Sequence, residues 1–338
     1  MTSNASPTDE LRGSAGFLQR VDAHMLELLG VGHGVVSEAA RRPIGAGGKR
    51  LRPLLVHAAR PLELADGVTD AAFAAAAVRA GAAIELVHTA SLVHDDLLDG
   101  AHLRRGEPTI GAVDGRTIAV SAGDLLFSRA FATLAATRDD VGDERAFAAT
   151  RVLARTARQL AEGEALQARQ TRDPRISIGD YLVRCRQKTG VLFAAALQCG
   201  AVLGGGSERD VAALGRFGDL AGMAFQVADD ILDCGRPADA TVLGKEPGAD
   251  VRDGTITLPM LHALERDPGL AAVLAAPIAE ADVLLVLDRI RASGGLETAR
   301  ATALELRDDA LATIEPLDGR FDLVPLHAIA ARSVDRIS

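Results

Sequence analysis

Two short acidic segments of the sequence share the pattern DDxxD. Their aspartates are Asp95, Asp96, Asp99, Asp229, Asp230 and Asp233. In an α-helix, offsets of three and four residues return to one face, so the outer carboxylates of each segment point the same way, about one turn apart. Like charges placed in this way repel unless a cation lies between them, and Mg²⁺ prefers carboxylate oxygens together with phosphate oxygens and water. Both segments therefore predict a magnesium diphosphate site.

A solvated acidic patch on a helix surface is the alternative interpretation of each segment. Each one directly follows an apolar run, at 86–93 and at 220–228. Solvated faces do not usually interrupt buried stripes, and the pattern occurs twice. We therefore favour metal binding at both segments.

A glycine-rich basic loop precedes the first acidic segment. It reads GAGGKRLRP over residues 45–53, and its proline suits the first turn of a helix. The glycines let the backbone wrap an anion, while Lys49, Arg50 and Arg52 can donate to phosphate oxygens. An ordinary solvated basic loop is the alternative for this segment taken alone.

Further cations follow the acidic segments closely, with Arg104 and Arg105 after the first and Lys245 after the second. Carboxylates beside separate basic clusters describe a site for two polyanions, one bridged by magnesium and one bound directly by Lys and Arg. A hydrolase would need one phosphate subsite and an activated water, and the sequence contains no HxxEH, GxSxG or P-loop pattern. Group transfer between two phosphorylated substrates therefore fits better.

Helices must position these residues, because the composition favours packed helices over sheets. Of the 338 residues, 48% are apolar and only 3% aromatic, with one Tyr and no Trp. We expect an all-α fold in a single domain over 13–338, after a disordered polar tail over 1–12. Periodicity predicts helices at 15–38, 54–64, 70–99, 115–135, 143–169, 178–187, 190–203, 208–232 and 257–265, with three amphipathic helices after residue 279.

Charge and cysteine content exclude several classes of protein. A formal net charge of −9 argues against a nucleic-acid partner, which needs a basic face. Cys185, Cys199 and Cys234 are odd in number and lack metal-type spacing, so we expect core thiols in a reducing compartment. The polar start carries no leader pattern, and no apolar run reaches 18 residues without a charge. We expect a cytoplasmic protein.

The chain resembles the polyprenyl synthetase family of trans-isoprenyl diphosphate synthases, and within it the bacterial long-chain polyprenyl diphosphate synthases. The motifs that carry the resemblance are GGKRLRP (47–53), ELVHTASLVHDDLLD (85–99), LRRGEPT (103–109), GD (123–124), KTG (188–190), FQVADDILD (225–233) and GKEPGADVRDGTITLP (244–259). The resemblance implies one large helical bundle around a central cavity. It also implies a prenyltransferase that adds isopentenyl diphosphate units head-to-tail to farnesyl or geranylgeranyl diphosphate.

Site residues follow from the same resemblance. All six aspartates would hold several Mg²⁺ ions on the allylic diphosphate, and Asp95, Asp99, Asp229, Lys188 and Gln226 would be catalytic. Isopentenyl diphosphate would be bound by Lys49, Arg52, His88 and Arg105. The allylic diphosphate would be bound by Arg104, Lys188, Thr189, Gln226 and Lys245. Catalysis would be electrostatic and positional, without a protein nucleophile.

Three positions within the quoted motifs carry further interpretation. His88 precedes Asp95 by seven residues, two turns along the same face, although a histidine taken alone at such a position is more often a core or surface residue. Phe225 precedes Asp229 by four residues and shares its face, either near the developing cation or simply in the core. Thr255 stands where the family commonly has a lysine, so that basic contact is not carried over.

Product length is predicted from the residues near the first acidic segment. Short-chain members of the family commonly place an aromatic residue five positions before the first aspartate, whereas here that position is Ala90, followed by Ser91. A small residue leaves room for a growing apolar chain, so we expect a long product, of about C30–C50. Phe127 and Phe131 are candidates for the floor of the tunnel, with plain core aromatics as the alternative.

Rival functions stay open at this point. One is a short-chain (C15–C20) synthase such as a geranylgeranyl diphosphate synthase. A class I terpene cyclase would carry more aromatic residues to stabilise a cyclising cation. A non-catalytic partner subunit of a heteromeric synthase would have eroded aspartate motifs. By resemblance we expect a homodimer, with at most transient membrane contact for product release.

Overall fold

The structure is a computed structural model that describes residues 14–30, 34–104, 106–235 and 247–337. Its α-helices are α1 (Ser14–Leu29), α2 (Val35–Gly45), α3 (Leu51–Ala58), α4 (Asp70–Leu98), α5 (Ile110–Ala135), α6 (Arg138–Val141), α7 (Asp143–Gln170), α8 (Ile178–Cys185), α9 (Val191–Gly204), α10 (Glu208–Asp233), α11 (Ala249–Asp253), α12 (Leu258–Arg266), α13 (Leu270–Leu274), α14 (Val283–Ala292), α15 (Gly295–Ile314) and α16 (Val324–Val334). A π-helical turn follows α8 at Arg186–Gly190, and short 3₁₀ turns lie at Glu280–Asp282, Glu315–Leu317 and Asp335–Ile337. The predicted all-α class is confirmed, with 79% of residues helical.

Strands are confined, among the described residues, to one small hairpin. Strands β1 (Leu103–Arg104) and β2 (Glu107–Pro108) pair antiparallel, with Leu103 opposite Pro108 and Arg104 opposite Glu107. This hairpin directly follows the first acidic segment and was not predicted from the sequence. It is too short to show the alternation of apolar and polar residues that marks a strand.

The alanine-rich first half of α4 packs closely against its neighbours. Thr69 caps its start by accepting a hydrogen bond from the backbone N–H of Ala72 at 3.2 Å. A Cβ added to Gly81 would lie 3.3 Å from both Val21 of α1 and Pro53 of α3. Small residues therefore let three helices approach one another closely around α4.

Several helix boundaries differ from the predicted ones. The helix predicted over 15–38 is instead two helices, α1 and α2. Gly30 and Gly34 lie between these helices and adopt positive φ angles of 63° and 97°, which an α-helix does not contain. Helix α5 begins at Ile110 but is kinked at Gly115 (φ 82°, ψ 167°), so its regular part starts where the prediction placed it. The three cysteines are buried free thiols, as predicted.

Two compact units divide the chain. The first contains the residues up to Ala157 together with Leu192–Arg216 and Ile314–His327. The second contains Arg158–Val191, Phe217–Thr313 and the residues from Ala328 onwards. Both units are assembled from segments far apart in sequence, and the single domain over 13–338 stays a prediction. The tail over 1–12 lies outside the described residues.

Two stretches of the described chain are long and apolar enough to cross a bilayer by length and composition alone. In Asp70–Leu98, which is α4, 61% of the apolar 18-residue stretch is buried inside the protein. In Ile110–Val141, which covers α5 and α6, 39% of the corresponding 18-residue stretch is buried. The first is therefore mostly a core helix, whereas the second leaves much of its apolar surface uncovered.

Candidate functional site

The first acidic segment ends α4 with its aspartates on two sides of the helix. Asp95 is half-buried and Asp99 is exposed, and their offset of four places them on one face. Asp96 is buried, and its Oδ1 accepts a hydrogen bond from Nε of Arg104 in β1 at 2.6 Å. The predicted metal ligand Asp96 and the predicted diphosphate ligand Arg104 thus contact each other.

Burial sets the acidity of Asp96. Removing the carboxylate from water raises its pKa, and the attraction of the Arg104 guanidinium opposes that shift. Since the shift is upward overall, the guanidinium compensates only part of the desolvation. Asp96 therefore acts here as an internal partner for Arg104.

Arg50 of the basic loop has three hydrogen-bond partners within the first unit. Its side chain is buried and donates to Asp22 at 2.8 Å, to Glu85 at 3.0 Å and to the carbonyl oxygen of Ile44 at 2.8 Å. Its backbone is left-handed, with φ 45°. These contacts connect α1, α4 and the basic loop, and phosphate binding by Arg50 stays a prediction.

A cavity of about 600 Å³ lies in the first unit beside the first acidic segment. Its wall combines charged and apolar residues from α2, the basic loop, α4, the hairpin and the start of α5. The residues that line it are Arg42, Pro43, Gly45, Ala46, Gly47, Arg50, Glu85, His88, Thr89, Leu92, Val93, Asp96, Arg104, Glu107, Pro108, Thr109, Ile110 and Val113. A small molecule with a charged head and an apolar tail matches this wall.

Predicted isopentenyl diphosphate ligands lie at different places in the first unit. His88 and the predicted allylic ligand Arg104 line the cavity. Lys49 is exposed in the basic loop, and the guanidinium carbon of Arg52 lies 5.3 Å from the ring centre of Phe193 in α9. Arg105 lies outside the described residues. His88 and Arg104 thus share the wall of the cavity, whereas Lys49 and Arg52 do not line it.

The predicted product-length residues lie on α4 and α5. Ala90 is fully buried and Ser91 is half-buried, while Phe127 and Phe131 are half-buried one turn apart on α5. The roles of these four side chains in product length stay predictions.

Close packing of α4 on α5 explains the GD motif at 123–124. A Cβ on Gly123 would lie 2.1 Å from Nε2 of His94. The same imidazole lies 6.0 Å, between ring centres, from Phe127. Gly123 therefore admits the side chain that directly precedes Asp95, and a larger residue would displace it.

In the second unit, Asp229 is the accessible member of its segment. Its carboxylate is 42% exposed and lies 2.7 Å from the guanidinium of Arg336, in the last 3₁₀ turn. The guanidinium carbon of Arg336 also lies 4.6 Å from the ring centre of Phe225, one turn before Asp229 on α10. Phe225 therefore contacts a cation of the protein itself.

Asp230 and Asp233 point into the second unit. Asp230 is buried and accepts hydrogen bonds from the hydroxyl of Tyr181 at 2.6 Å and from Nε2 of Gln226 at 2.8 Å. Burial raises the pKa of Asp230 to about 6, although both hydrogen bonds oppose the shift. Asp233 accepts from the backbone N–H of Asp250 at 2.9 Å. Of the second segment, Asp229 is thus the aspartate best placed to reach a ligand.

The π-helical turn carries the KTG motif. Nζ of Lys188 lies 2.6 Å from Glu164 of α7, and the hydroxyl of Thr189 donates to Oε1 of Gln226 at 2.7 Å. Two glycines make room for the turn. A Cβ on Gly163 would lie 2.8 Å from Cβ of Gln187, and one on Gly190 would lie 2.8 Å from the carbonyl oxygen of Asp219. Predicted allylic ligands Lys188, Thr189 and Gln226 therefore lie together.

Thr255 and Lys245 complete the set of predicted positions. Thr255 is half-buried just after α11, and its backbone N–H donates to the carbonyl oxygen of Asp250 at 2.9 Å. Lys245 lies outside the described residues.

The accessible aspartates of each unit, taken separately, suit a hard cation that also binds its substrate. Asp95, Asp99 and Asp229 present carboxylate oxygens at half-buried or exposed positions. Within the described ranges, no group of three or more His, Cys, Asp or Glu side chains converges on a common metal position. Mg²⁺ does not need such a cage, because it typically binds one or two carboxylates with phosphate oxygens and water. The residues therefore fit a metal that arrives with a diphosphate.

Sequence reasoning missed several contacts in this region. Tyr181, Glu164 and Arg336 each touch a predicted site residue and were given no role. The only signal for Tyr181 is that it is the one tyrosine of the chain. Glu164 and Arg336 carry no local pattern that separates them from other surface charges.

Comparison with known proteins agrees with this geometry. The polyprenyl synthetase family matches residues 33–283. The chain is 38% identical over 301 residues to nonaprenyl diphosphate synthase of Mycobacterium tuberculosis, across 86% of this chain and 85% of that protein. It is 34% identical over 303 residues to octaprenyl diphosphate synthase of Escherichia coli, across 88% of each. A polyprenyl synthase from Caulobacter crescentus, solved with calcium and isoprenyl diphosphate, matches with a TM-score of 0.85 and 32% identity over 100% of both chains.

The predicted family is thereby confirmed on three counts: the matched residues, the extent of the similarity and the all-α architecture. The motifs quoted from the sequence fall within the matched region, and the aspartates that they contain end two long helices, α4 and α10. This chain belongs to the polyprenyl synthetase family and is a prenyltransferase of isoprenoid biosynthesis.

Proposed function

We propose that this prenyltransferase adds isopentenyl diphosphate units to farnesyl or geranylgeranyl diphosphate and makes an all-trans product of C30–C50. The observation that carries the proposal is the pair Asp95 and Asp99, on one accessible face of α4, next to the cavity that His88 lines. Two further facts support a long product. The nonaprenyl and octaprenyl relatives are named for long chains (C40–C45), and Ala90 is small and fully buried.

The described aspartates have different proposed roles in metal binding. Asp95 and Asp99 would hold Mg²⁺ from the first segment and Asp229 from the second, whereas direct contact by Asp96, Asp230 and Asp233 stays a prediction. When bound, Mg²⁺ would neutralise the charge that develops on the leaving diphosphate. Family membership implies diphosphate substrates and a metal requirement in general, and magnesium is our specific proposal.

The chain's own side chains supply binding and orientation. Lys188, Thr189 and Gln226 would orient the allylic diphosphate, and His88 would contact isopentenyl diphosphate in the cavity of the first unit. As the allylic C–O bond breaks, the double bond of isopentenyl diphosphate forms the new C–C bond, and loss of a proton restores a double bond. No nucleophile from the protein is required, so catalysis depends on position and charge.

The experiment uses the full chain with labelled isopentenyl diphosphate and farnesyl diphosphate. After treatment with EDTA we expect no incorporation of label, and added Mg²⁺ should restore it, with products of C30 or longer on reversed-phase chromatography. Products that stop at C20 would favour the short-chain alternative. Absence of elongation with every allylic primer, in protein that is folded by circular dichroism, would favour a non-catalytic partner subunit.

We also propose that the chain forms a homodimer. Within Ile110–Val141, only 39% of the apolar 18-residue stretch is buried within the chain. Val113 and Val120 on α5 are 57% and 38% exposed. A second copy of the same surface would bury this area. Sedimentation equilibrium should give twice the chain mass of 35.1 kDa, and a monomer at micromolar concentration would contradict the proposal. A cytoplasmic location and transient membrane contact stay predictions.

A further inference from the structure

Asp230 is the meeting point of a chain of hydrogen bonds in the second unit. Thr189 donates to Gln226 at 2.7 Å, and Gln226 donates to Oδ1 of Asp230 at 2.8 Å. Tyr181 donates to the other oxygen, Oδ2, at 2.6 Å. Because both carboxylate oxygens accept from within the protein, the Asp230 side chain has a fixed orientation.

Tyr181 is the most constrained member of this chain of hydrogen bonds. It is fully buried, and the guanidinium carbon of Arg184 lies 5.5 Å from its ring centre. Arg184 is itself buried and donates to Gln170 at 2.8 Å and to the carbonyl oxygen of Ile256. Tyr181 therefore presents its hydroxyl from a rigid position.

The cap at the start of α8 also restrains the backbone of Tyr181. Ser177 and Asp180 form a reciprocal capping box, in which the Ser177 hydroxyl accepts from the backbone N–H of Asp180 at 3.1 Å. The backbone N–H of Tyr181 also donates to the carbonyl oxygen of Ser177 at 3.0 Å. The helix turn that carries Tyr181 is thus held at its first residues.

Gln226 can be oriented in only one way by this arrangement. Its carbonyl oxygen faces the Thr189 hydroxyl and its amide nitrogen faces Asp230, so a flipped amide would place its oxygen against the Asp230 carboxylate, acceptor against acceptor. Gln226 and Thr189 are proposed ligands of the allylic diphosphate, and Asp229 directly precedes Asp230. Losing the Tyr181 hydroxyl would release the Asp230 carboxylate and, with it, the alignment of these neighbours.

We propose that Tyr181 is a positioning residue, which through Asp230 and Gln226 orients the side chains that bind the magnesium-loaded allylic diphosphate. This inference rests on the proposed function and extends it to a buried residue that touches neither substrate. A purely structural tyrosine would affect only the folding equilibrium. A positioning tyrosine affects ligand binding in protein that remains folded.

The test is Tyr181→Phe, which removes only the hydroxyl. Binding of Mg²⁺ with inorganic pyrophosphate, measured by calorimetry well below the melting temperature, should weaken about tenfold or more, as expected for losing a hydrogen bond to a charged group. In steady-state assays, the KM for farnesyl diphosphate should rise and kcat should fall, while the KM for isopentenyl diphosphate stays within about twofold of wild type.

A matched control removes another buried hydroxyl away from this chain of hydrogen bonds. Thr156 is 4% exposed, and its hydroxyl donates to the carbonyl oxygen of Val152 at 2.9 Å on α7. Thr156→Val should change the melting temperature at most and leave pyrophosphate binding unchanged. Thr189→Val breaks the other end of the chain of hydrogen bonds and should also weaken pyrophosphate binding.

The double variant Tyr181→Phe with Asp230→Asn tests the route of the effect. If Tyr181 acts through Asp230, adding Tyr181→Phe to Asp230→Asn should weaken pyrophosphate binding by less than about twofold further. Multiplicative effects of the two substitutions would overturn the proposal. Tyr181→Phe that melts earlier but binds magnesium pyrophosphate as wild type would also overturn it. Wild-type protein that fails to elongate any primer would instead overturn the proposed function.

Discussion

Asp95→Asn is expected to lower kcat for chain elongation about 10³-fold, the largest effect that we expect from a single substitution. Asparagine keeps the size of the side chain but removes the charge that attracts Mg²⁺ at the accessible face of α4. The charge on the departing diphosphate would then be poorly neutralised. Single-turnover assays with farnesyl diphosphate at saturating Mg²⁺ measure the change directly.

Asp70→Asn is the matched control for this substitution. Asp70 lies in the first turn of the same helix, at its opposite end, and its side chain is 85% exposed beside Arg60. The same change of charge there costs at most a surface ion pair and a favourable position at the helix start, each worth less than about 1 kcal/mol of stability. Activity should be unaffected. Equal losses in both variants would mean that the Asp95 effect is not local.

Ala90→Phe is expected to shorten the product from C30–C50 to farnesyl or geranylgeranyl diphosphate. Ala90 is fully buried, five residues before Asp95, so a phenyl ring would occupy space that a growing chain needs. Overpacking of a core position costs about 1–3 kcal/mol, which a large helical protein can tolerate. Chromatography of the products from labelled isopentenyl diphosphate shows the new length distribution.

Ala74→Phe provides the corresponding control. Ala74 lies on the exposed side of α4, so the same substitution adds a ring to solvent. It should leave the product length unchanged. If Ala90→Phe still makes long products while incorporating isopentenyl diphosphate at a normal rate, Ala90 does not line the path of the chain, and the prediction of product length loses its physical basis.

Helical periodicity and charge spacing predicted much of the architecture. The range predicted for 70–99 is nearly that of α4, because Thr69 provides a cap and the apolar pattern is continuous. The aspartates of both segments were found in the same way, since offsets of three and four residues are visible in the sequence itself. Features that depend on local sequence spacing, such as the range of α4, were therefore predictable from the sequence.

Tertiary contacts decide the roles that the sequence could not distinguish. Asp229 and Asp230 are neighbours of identical type, yet one is accessible and the other accepts from Tyr181 and Gln226. Arg50 likewise donates to Asp22 and to Glu85, which lie 28 and 35 residues away in the sequence. No pattern in a single sequence encodes which partner a distant segment will bring.

The assembly of each compact unit from distant segments has a consequence for synthesis on the ribosome. The first unit requires Ile314–His327, and the second requires residues from Ala328 onwards, including Arg336 beside Asp229. Neither unit can complete its packing until most of the chain has been translated, although α4 and α5 can already pack on each other and on α1–α3 before then. The last step in folding of each unit therefore waits until these final segments have left the ribosome.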